Sequence, residues 1–269
     1  MDLARCGVYR GKAATQGDDM HTSIATTLFG LAMAMTPIAA AQAVELKILA
    51  GGSMTASLKE LGPQFERATG NKVTIHFDST PNLIKLATSG APFDAGVVPV
   101  DVMKDAGARA RFAAPMNDIA RVGFGVAFRT GAPKPDVSTP DAMKQTLLKA
   151  QSVAMLPASA AGAYVLKVLN RLGIGEAIKA KTKVQATPAA IPQAVAKGDA
   201  ELGMFLINVL MAPGVELAGP FPGDLQQDLV FTGAVAADTK QADAARAFLA
   251  FLKTPEAAAV FKAKGVTPG

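Results

Sequence analysis

The sequence has few of the residues on which disulfide frameworks and most catalytic sites depend. Among its 269 residues there is no tryptophan, one cysteine and two histidines, and aromatic residues make up only 6%. The single cysteine is Cys6, and a chain without cysteine pairs needs no redox chemistry to fold. Half of the residues are hydrophobic and small apolar types dominate, which favours α/β packing over an all-β sandwich.

Motifs of the common enzyme classes are also missing. The sequence has no G-x-S-x-G, no P-loop lysine motif and no metal-ligand spacing. A catalytic triad would have to use His76, which lies within the predicted strand "TIHFD" and is better explained as a packed or surface residue. Asp94 and Asp101 offer a carboxylate pair, but capping or solvent exposure explains them better. We therefore expect no enzyme activity, no cofactor and no free metal cation.

The charge pattern argues against a nucleic-acid partner. The net charge of +5 is modest, and the basic residues are scattered along the chain. Proteins that bind nucleic acid usually have a basic stripe interleaved with aromatic residues, and this sequence has none. We therefore expect no nucleic acid among its partners.

The first residues resemble an export signal. An apolar stretch, "IATTLFGLAMAMTPIAAAQA", begins at Ile24 and ends in a small-x-small pattern that predicts cleavage after Ala43. A membrane anchor or a core helix is the alternative, but the stretch is short for a span. Translation begins at Met1 or Met20; the pattern leaves this open. The prediction places the protein in the periplasm, and cleavage would remove Cys6.

The rest of the chain alternates predicted strands and helices, which indicates an α/β fold with two mostly parallel sheets flanked by helices. One helix is predicted over Thr55–Thr69 from its apolar spacing, with Gly70 placed to end it. A Pro-rich turn after Arg129 and a later strand near Leu229 suggest two crossings between lobes. The predicted divisions are 1–43 (leader and signal peptide), 44–126 (first lobe), 127–226 (second lobe) and 227–269 (return to the first lobe).

Small and hydroxyl-bearing residues recur where predicted strands give way to helices. In an open α/β sheet, ligands lie beyond the carboxyl ends of the strands, where helix N-termini present free N–H groups. Hydroxyl donors and small side chains at these positions predict an anion cradle built from neutral donors. Ordinary capping and turn formation explain each position separately, and that alternative stays open. The four positions are Ser53–Thr55, Ser79–Thr80, Ser159–Gly162 and Thr187–Ile191.

Five segments resemble the periplasmic molybdate-binding proteins of ABC transporters, which belong to the type II solute receptors. The resemblance implies two α/β lobes, joined by two crossing strands, that close on a tetrahedral oxyanion. It implies molybdate or tungstate as the ligand, an inner-membrane ABC permease as the partner, and a monomeric receptor. The segments are "AGGSMTASLKELGPQFERATG", "FDSTPNLIKLATSGAPFDA", "PASAAGAYVLKVLNRLG", "AVAKGDAELGM" and "AFLAFLKTPEAAAVFKAKGVTP".

The resemblance also implies ligand-binding residues. Hydroxyls would come from the first and second strand ends, and backbone N–H groups from two helices of the second lobe. An asparagine would replace a tyrosine that the family often has. The implied set is Ser53, Ser79, Thr80, Ala161, Ile191 and Asn208.

The sequence departs from the family pattern at three places. Leu206 stands where the family often has tyrosine, and Asp78 stands at a position that is usually small and neutral. The third strand ends in Val98-Pro99-Val100, where the family usually has Ser-Ala. A carboxylate beside a doubly charged anion would repel it, unless Asp78 points away as a cap or accepts a proton from the ligand. None of the four positions contains the arginine that a carboxylate ligand favours. The alternatives are a receptor for another small or organic anion, a periplasmic ligand sensor and a hydrolytic enzyme.

Overall fold

The computed structural model describes residues 43–269, so the predicted signal peptide lies outside the described part of the chain apart from its last residue. Within that part, no helix combines the length and the apolar character that a bilayer crossing requires. The strands of this part, in chain order, are β1 (Glu45–Gly51), β2 (Lys72–Asp78), β3 (Ala95–Pro99), β4 (Asn117–Val122), β5 (Phe124–Arg129), β6 (Val153–Met155), β7 (Thr182–Val184), β8 (Leu202–Leu206), β9 (Val215–Pro220), β10 (Leu229–Val235) and β11 (Thr267–Pro268).

Helices alternate with these strands over most of the chain. Short 3₁₀ turns precede α1 and α3 and another precedes β10. The α-helices of the described residues are α1 (Thr55–Thr69), α2 (Thr80–Thr88), α3 (Ala106–Arg109), α4 (Pro140–Lys149), α5 (Ala160–Arg171), α6 (Gly175–Lys179), α7 (Ala190–Lys197), α8 (Ile207–Leu210), α9 (Ala242–Phe251) and α10 (Pro255–Ala263).

Two mixed sheets form the two lobes. The first has the strand order β11-β4-β10-β3-β1-β2, and the second has the order β7-β6-β8-β5-β9. Strand β1 pairs in parallel with β2 and β3, and β6 pairs in parallel with β7 and β8. Strands β10 and β5 pair antiparallel with both of their neighbours. The two-lobed α/β fold is confirmed, but the sheets are mixed rather than mostly parallel, because β5 and β10, the strands that follow the two crossings, run against both of their neighbours.

The chain changes sheets twice. Gly123 alone separates β4 of the first sheet from β5 of the second, and residues 221–228 lead back from β9 to β10. The side-chain amide of Gln226 accepts from the N–H of Phe124 at 2.9 Å and donates to its carbonyl at 2.8 Å, so it fastens the two crossings together. The predicted boundaries at 126/127 and 226/227 lie within a few residues of these changes and stay a prediction.

Helix α1 illustrates why the layers form. Its apolar residues recur at three- and four-residue spacing, so Leu58, Leu61 and Phe65 share one face and are fully buried. The helix ends at Gly70, whose left-handed φ of 76° few other residues adopt without strain. This helix agrees with the prediction at both ends. Its N-terminus lies beyond the carboxyl end of β1, which is where the cleft between the lobes begins.

Candidate functional site

The first lobe brings Ser53 close to Ser79 and Thr80. Ser53 lies in the 3₁₀ turn that follows β1, and Ser79 is the N-cap residue of α2, directly after β2. The parallel register pairs Gly51 with Asp78, so these two strand ends lie side by side. The hydroxyl of Ser79 caps no backbone N–H of its helix, which leaves it free for another partner. The sequence predicted this pair of neighbouring hydroxyls at one edge of the sheet.

The second lobe faces these residues with the N-terminus of α5. The Ser159 hydroxyl accepts from the Gly162 N–H at 3.0 Å, and the Ala160 N–H donates to Oγ1 of Thr80 at 3.2 Å. The next N–H, that of Ala161, has no hydrogen-bond partner among residues 43–269. A free N–H at a helix N-terminus is a donor for an anion. The structure therefore brings the predicted Ala161 donor next to Thr80.

Gly162 allows α5 to begin this close to β6. A Cβ at this position would lie 1.8 Å from the carbonyl oxygen of Leu156, well inside the contact limit of any two such atoms. The first turn of α5 therefore packs directly on the end of the strand. Sequence analysis placed Gly162 in the cradle as a small residue but gave no sign of this contact, because the contact depends on how the turn folds back.

Ile191 is placed differently from the predicted donor. Its side chain is fully buried, and its N–H donates to the carbonyl oxygen of Pro188 at 3.1 Å. In this structure the N–H is therefore occupied by the first turn of α7. A role for Ile191 in ligand binding stays a prediction, and it requires that turn to open.

Asn208 reaches across the cleft from α8. Its Nδ2 donates to the carbonyl oxygen of Ser53 at 2.7 Å, and the residue is 7% exposed. Leu206, two residues earlier, is fully buried in β8 and contributes no polar atom to the cleft. Of the predicted second-lobe residues, Asn208 is the one whose side chain bonds to the first lobe.

The lobes are in contact along the cleft. Besides the bonds from Thr80 and Asn208, Gly52 lies against Pro188, whose ring is 3.3 Å from the place a Cβ would occupy. Gly265 lies against Met211 in the same way, with the methionine sulfur 2.5 Å from the Cβ position. Two glycines therefore let the second lobe approach the backbone of the first. These contacts bring the two lobes together beside the ends of the strands.

A cavity of about 520 Å³ opens beside the cradle, between the two lobes. Ser53 and Asn208 line it from opposite lobes. Its remaining wall comes from α1, α7 and the loop after α8, and the polar members of that wall are Thr55, Gln193 and Lys197.

Within residues 43–269 no cluster of three histidine, cysteine, aspartate or glutamate side chains could hold a metal ion.

The carboxylate of Asp78 lies beside Ser79 of the cradle. Its Oδ1 accepts from the Ser79 N–H at 2.7 Å and from Asn82 Nδ2 at 2.8 Å, and its Oδ2 lies 3.4 Å from Nε2 of His76. Partial burial acts to raise the pKa of Asp78, but the bonds from Asn82, Ser79 and His76 together hold it below its ordinary value. Asp78 is therefore ionised at neutral pH. Sequence analysis missed Asn82, because Asp78 ends strand β2 and its contact with Asn82 depends on how the first turn of α2 folds back over the strand end.

Tyr164 belongs to the crossing between the lobes. Its ring packs against Phe124 with centroids 4.7 Å apart, and its hydroxyl donates to the carbonyl oxygen of Leu225 at 2.9 Å. Burial raises the pKa of the phenol. The Tyr164 hydroxyl therefore bonds to the backbone of the segment that returns to the first lobe.

We expect Ser159→Ala to destabilise the fold. The substitution removes the cap on the Gly162 N–H, and loss of such a cap costs about 1 kcal/mol. Denaturant unfolding measures the difference in the free energy of unfolding. An unchanged free energy would contradict the capping role of Ser159.

We expect Asp78→Asn to tighten anion binding several-fold at low salt, because it removes a like charge and keeps an oxygen that accepts from Ser79. Isothermal titration at low and high salt measures the change in affinity, and the gain should shrink as salt screens the charge.

The lowered pKa of Asp78 also makes the stability of the fold depend on pH. The ionised carboxylate stabilises the fold above the ordinary aspartate pKa of about 3.9, and this contribution is lost as the pH falls through the pKa of Asp78 in the folded state.

The control for Asp78→Asn is Asp136→Asn. Asp136 also accepts from a backbone N–H, that of Ser138, and its pKa is lowered mainly by that bond. It lies in the loop before α4 of the second lobe. Equal changes in affinity for the two variants would show that the effect is general electrostatics and not the position of Asp78.

Comparisons with known proteins agree with this architecture. Residues 46–267 match the family described as bacterial extracellular solute-binding proteins. An aconitate isomerase from a Pseudomonas species is 34% identical over 260 residues, covering 90% of this chain and 95% of that protein. The molybdate-binding protein ModA of Azotobacter vinelandii is 30% identical over 238 residues, covering 84% of this chain and 91% of that protein.

Solved structures also share the fold. The periplasmic molybdate-binding protein of Azotobacter vinelandii superposes with a TM-score of 0.69 at 20% identity, over 83% of this chain and 99% of that one. The resemblance to periplasmic molybdate-binding proteins is therefore confirmed, as is the two-lobed arrangement of the sheets. The chain belongs to the family of bacterial extracellular solute-binding proteins.

Proposed function

We propose that this chain is a periplasmic receptor that closes its two lobes on one small anion and delivers it to an inner-membrane ABC permease. The observation that carries the proposal is the pairing of free donors across the cleft. The Thr80–Ala160 bond joins the chain neighbours of two donors, the uncapped hydroxyl of Ser79 and the N–H of Ala161, which has no partner within the part of the chain that the structure describes. Neutral donors at helix N-termini suit an anion and require no cationic side chain. The receptor acts as a monomer and binds no nucleic acid.

Molybdate or tungstate is the first candidate ligand. Ser53, Ser79 and Thr80 supply hydroxyls and Ala161 supplies an N–H, which is the donor chemistry that a tetrahedral oxyanion needs. A relative that is 30% identical is a molybdate-binding protein. Several such bonds at a partly buried site are enough for micromolar affinity, which corresponds to about −8 kcal/mol.

An organic anion such as aconitate is the second candidate. A relative that is 34% identical is an aconitate isomerase, and the cavity of about 520 Å³ beside the cradle leaves room for a carbon skeleton. The ionised Asp78 beside Ser79 disfavours a compact dianion more than an extended one, whose charge lies further away.

Binding without turnover is the proposed activity for either ligand. An isomerase acting on an alkene acid needs a group that takes a proton from carbon and returns it. Asp78 is a weak base for this step because its pKa is lowered and Ser79 and Asn82 already donate to one of its oxygens. His76, the neighbour of Asp78, is an equally poor candidate for the base, because its side chain is 55% exposed to solvent and is not enclosed in the cleft.

Two measurements test the proposal. Isothermal titration with molybdate, tungstate, sulfate and the two aconitate isomers should give one saturable site. Proton NMR of each aconitate isomer incubated with the protein should show no conversion to the other. Conversion at a rate that depends on protein concentration would make the chain an isomerase, and failure of every anion to bind would remove the receptor function.

A further inference from the structure

Met211 is the most exposed methionine of residues 43–269. The residue is 54% exposed, and it lines the cavity of about 520 Å³ between the lobes. A dissolved oxidant can reach it from solvent and from the cavity. The other methionines of this part of the chain are less accessible. Met103 and Met116 are half-buried, and the core contains Met54, Met143, Met155 and Met204.

The same residue is part of the contact between the lobes. The N–H of Met211 donates to the carbonyl oxygen of Ile207 at 3.0 Å, so Met211 continues the turn of α8 three residues after Asn208, on the same face. The Met211 sulfur lies 2.5 Å from the place that a Cβ of Gly265 would occupy, and Cα of Asn208 lies 3.5 Å from it. Asn208 also donates across the cleft to Ser53. One turn therefore carries two neighbouring contacts to the first lobe.

Oxidation changes the Met211 side chain in size and in polarity. A hydroperoxide oxidises the thioether by two electrons: its O–O bond breaks, its outer oxygen bonds to sulfur, and water or an alcohol leaves. The flexible apolar side chain becomes polar, and its sulfur gains a third substituent. The new oxygen needs a hydrogen-bond donor, but the Gly265 N–H already donates to the carbonyl oxygen of Lys262 at 3.0 Å. Water supplies that donor, so the oxidised side chain turns from Gly265 to solvent.

We propose that Met211 is a site of oxidation by hydroperoxides, and that its sulfoxide separates α8 from Gly265 and favours an open cleft. The bond from Asn208 to Ser53 weakens together with this contact, because both depend on the same turn. Reduction of the sulfoxide restores the contact. Opening also lowers the affinity for an anion held between the lobes. That last consequence rests on the proposed function, whereas the oxidation and the opening do not.

The test follows the full chain during treatment with hydrogen peroxide. Peptide mass mapping measures each methionine separately, and we expect Met211 to be oxidised several-fold faster than Met103 and Met116. The radius of gyration from small-angle scattering should rise with the oxidised fraction of Met211, and methionine sulfoxide reductase should reverse the rise. Met211→Leu keeps an apolar side chain of similar size, so peroxide should leave its radius unchanged. Met103→Leu is the matched control and should respond as the unaltered chain does.

Isothermal titration with molybdate and with aconitate measures the effect on binding. We expect the oxidised chain to bind about fivefold more weakly, and Met211→Gln to show a similar loss because its polar side chain resembles the sulfoxide. Met211→Leu should bind equally well before and after peroxide treatment.

The outcomes separate this proposal from the receptor function. Oxidation of Met211 no faster than that of Met103 and Met116, an unchanged radius after oxidation, or a rise that persists in Met211→Leu overturns the proposal and leaves the receptor function intact. Failure of every anion to bind overturns the receptor function, and mass mapping with scattering still decides on Met211. The oxidation rates and their reversal use the unaltered chain, so they remain decisive even where a Met211 variant fails to fold.

Discussion

Gly162→Ala is expected to cause the largest loss of stability among single substitutions in the cradle. The new methyl carbon would lie 1.8 Å from the carbonyl oxygen of Leu156, so the first turn of α5 has to move away from β6. Forced overpacking of this kind costs about 3 kcal/mol or more. For a domain of this size the loss corresponds to roughly 6–12 °C in the melting temperature. Ligand affinity should fall as well, because the Ala161 N–H moves with the turn.

Gly62→Ala is the matched control. Gly62 is also buried in a helix, but the nearest atom to its Cβ position is Cδ1 of Ile75 at 3.7 Å, an ordinary contact. Alanine has the higher helix propensity, so the control should range from neutral to about 1 kcal/mol more stable. Thermal unfolding of both variants measures the contrast. Equal melting temperatures for the two variants would contradict the close packing of α5 on β6.

Ser79→Ala is expected to cause the largest loss of affinity that leaves the fold unchanged. The Ser79 hydroxyl caps no N–H of α2, so its removal should alter the free energy of unfolding by less than about 0.5 kcal/mol. A hydrogen bond to a charged ligand is worth about 1.5–3 kcal/mol, which is roughly a 10- to 100-fold change in the dissociation constant. Isothermal titration with whichever anion binds the unaltered chain measures the loss.

Ser89→Ala provides the comparison at the other end of the same helix. Its hydroxyl donates to the carbonyl oxygen of Leu86 at 2.8 Å and faces away from the strand ends. Ligand affinity should be unchanged in this variant. The account would be wrong about Ser79 if both variants bound the anion equally well.

Local sequence signals predicted much of the fold. The spacing of Leu58, Leu61 and Phe65 with Gly70 behind them predicted α1 at both ends. The predicted strand "TIHFD" lies within β2, and Ser79–Thr80 correctly predicted the start of a helix. Such signals depend on neighbours along the chain, so no tertiary information is needed to use them.

Features that depend on tertiary contacts were harder to predict. Strand β9 ends in Gly219 and Pro220, which are typical of turns, so the sequence does not predict a strand there. Its extended conformation is decided by its pairing with β5. The antiparallel direction of β10 follows from the return crossing and not from its own residues.

The candidate site was predicted in outline only. The hydroxyls of Ser53 and Ser79 were expected at one sheet edge, and the register of β1 with β2 brings their strand ends together. The bond from Asn208 to Ser53 joins residues 155 positions apart, so no local pattern could indicate it. The occupied N–H of Ile191 likewise depends on how the turn at Pro188 closes.

Thermal unfolding of the full chain with a panel of anions tests the central claim most directly. The panel contains molybdate, tungstate, sulfate, phosphate, malate, citrate and aconitate, and each is measured on the unaltered chain and on Ser79→Ala. A ligand at 1,000 times its dissociation constant adds about 4 kcal/mol, which is roughly 10 °C. The account predicts that shift for at least one anion with the unaltered chain and a smaller one for Ser79→Ala. A panel that shifts neither protein, or shifts both equally, would contradict an anion site at the cradle.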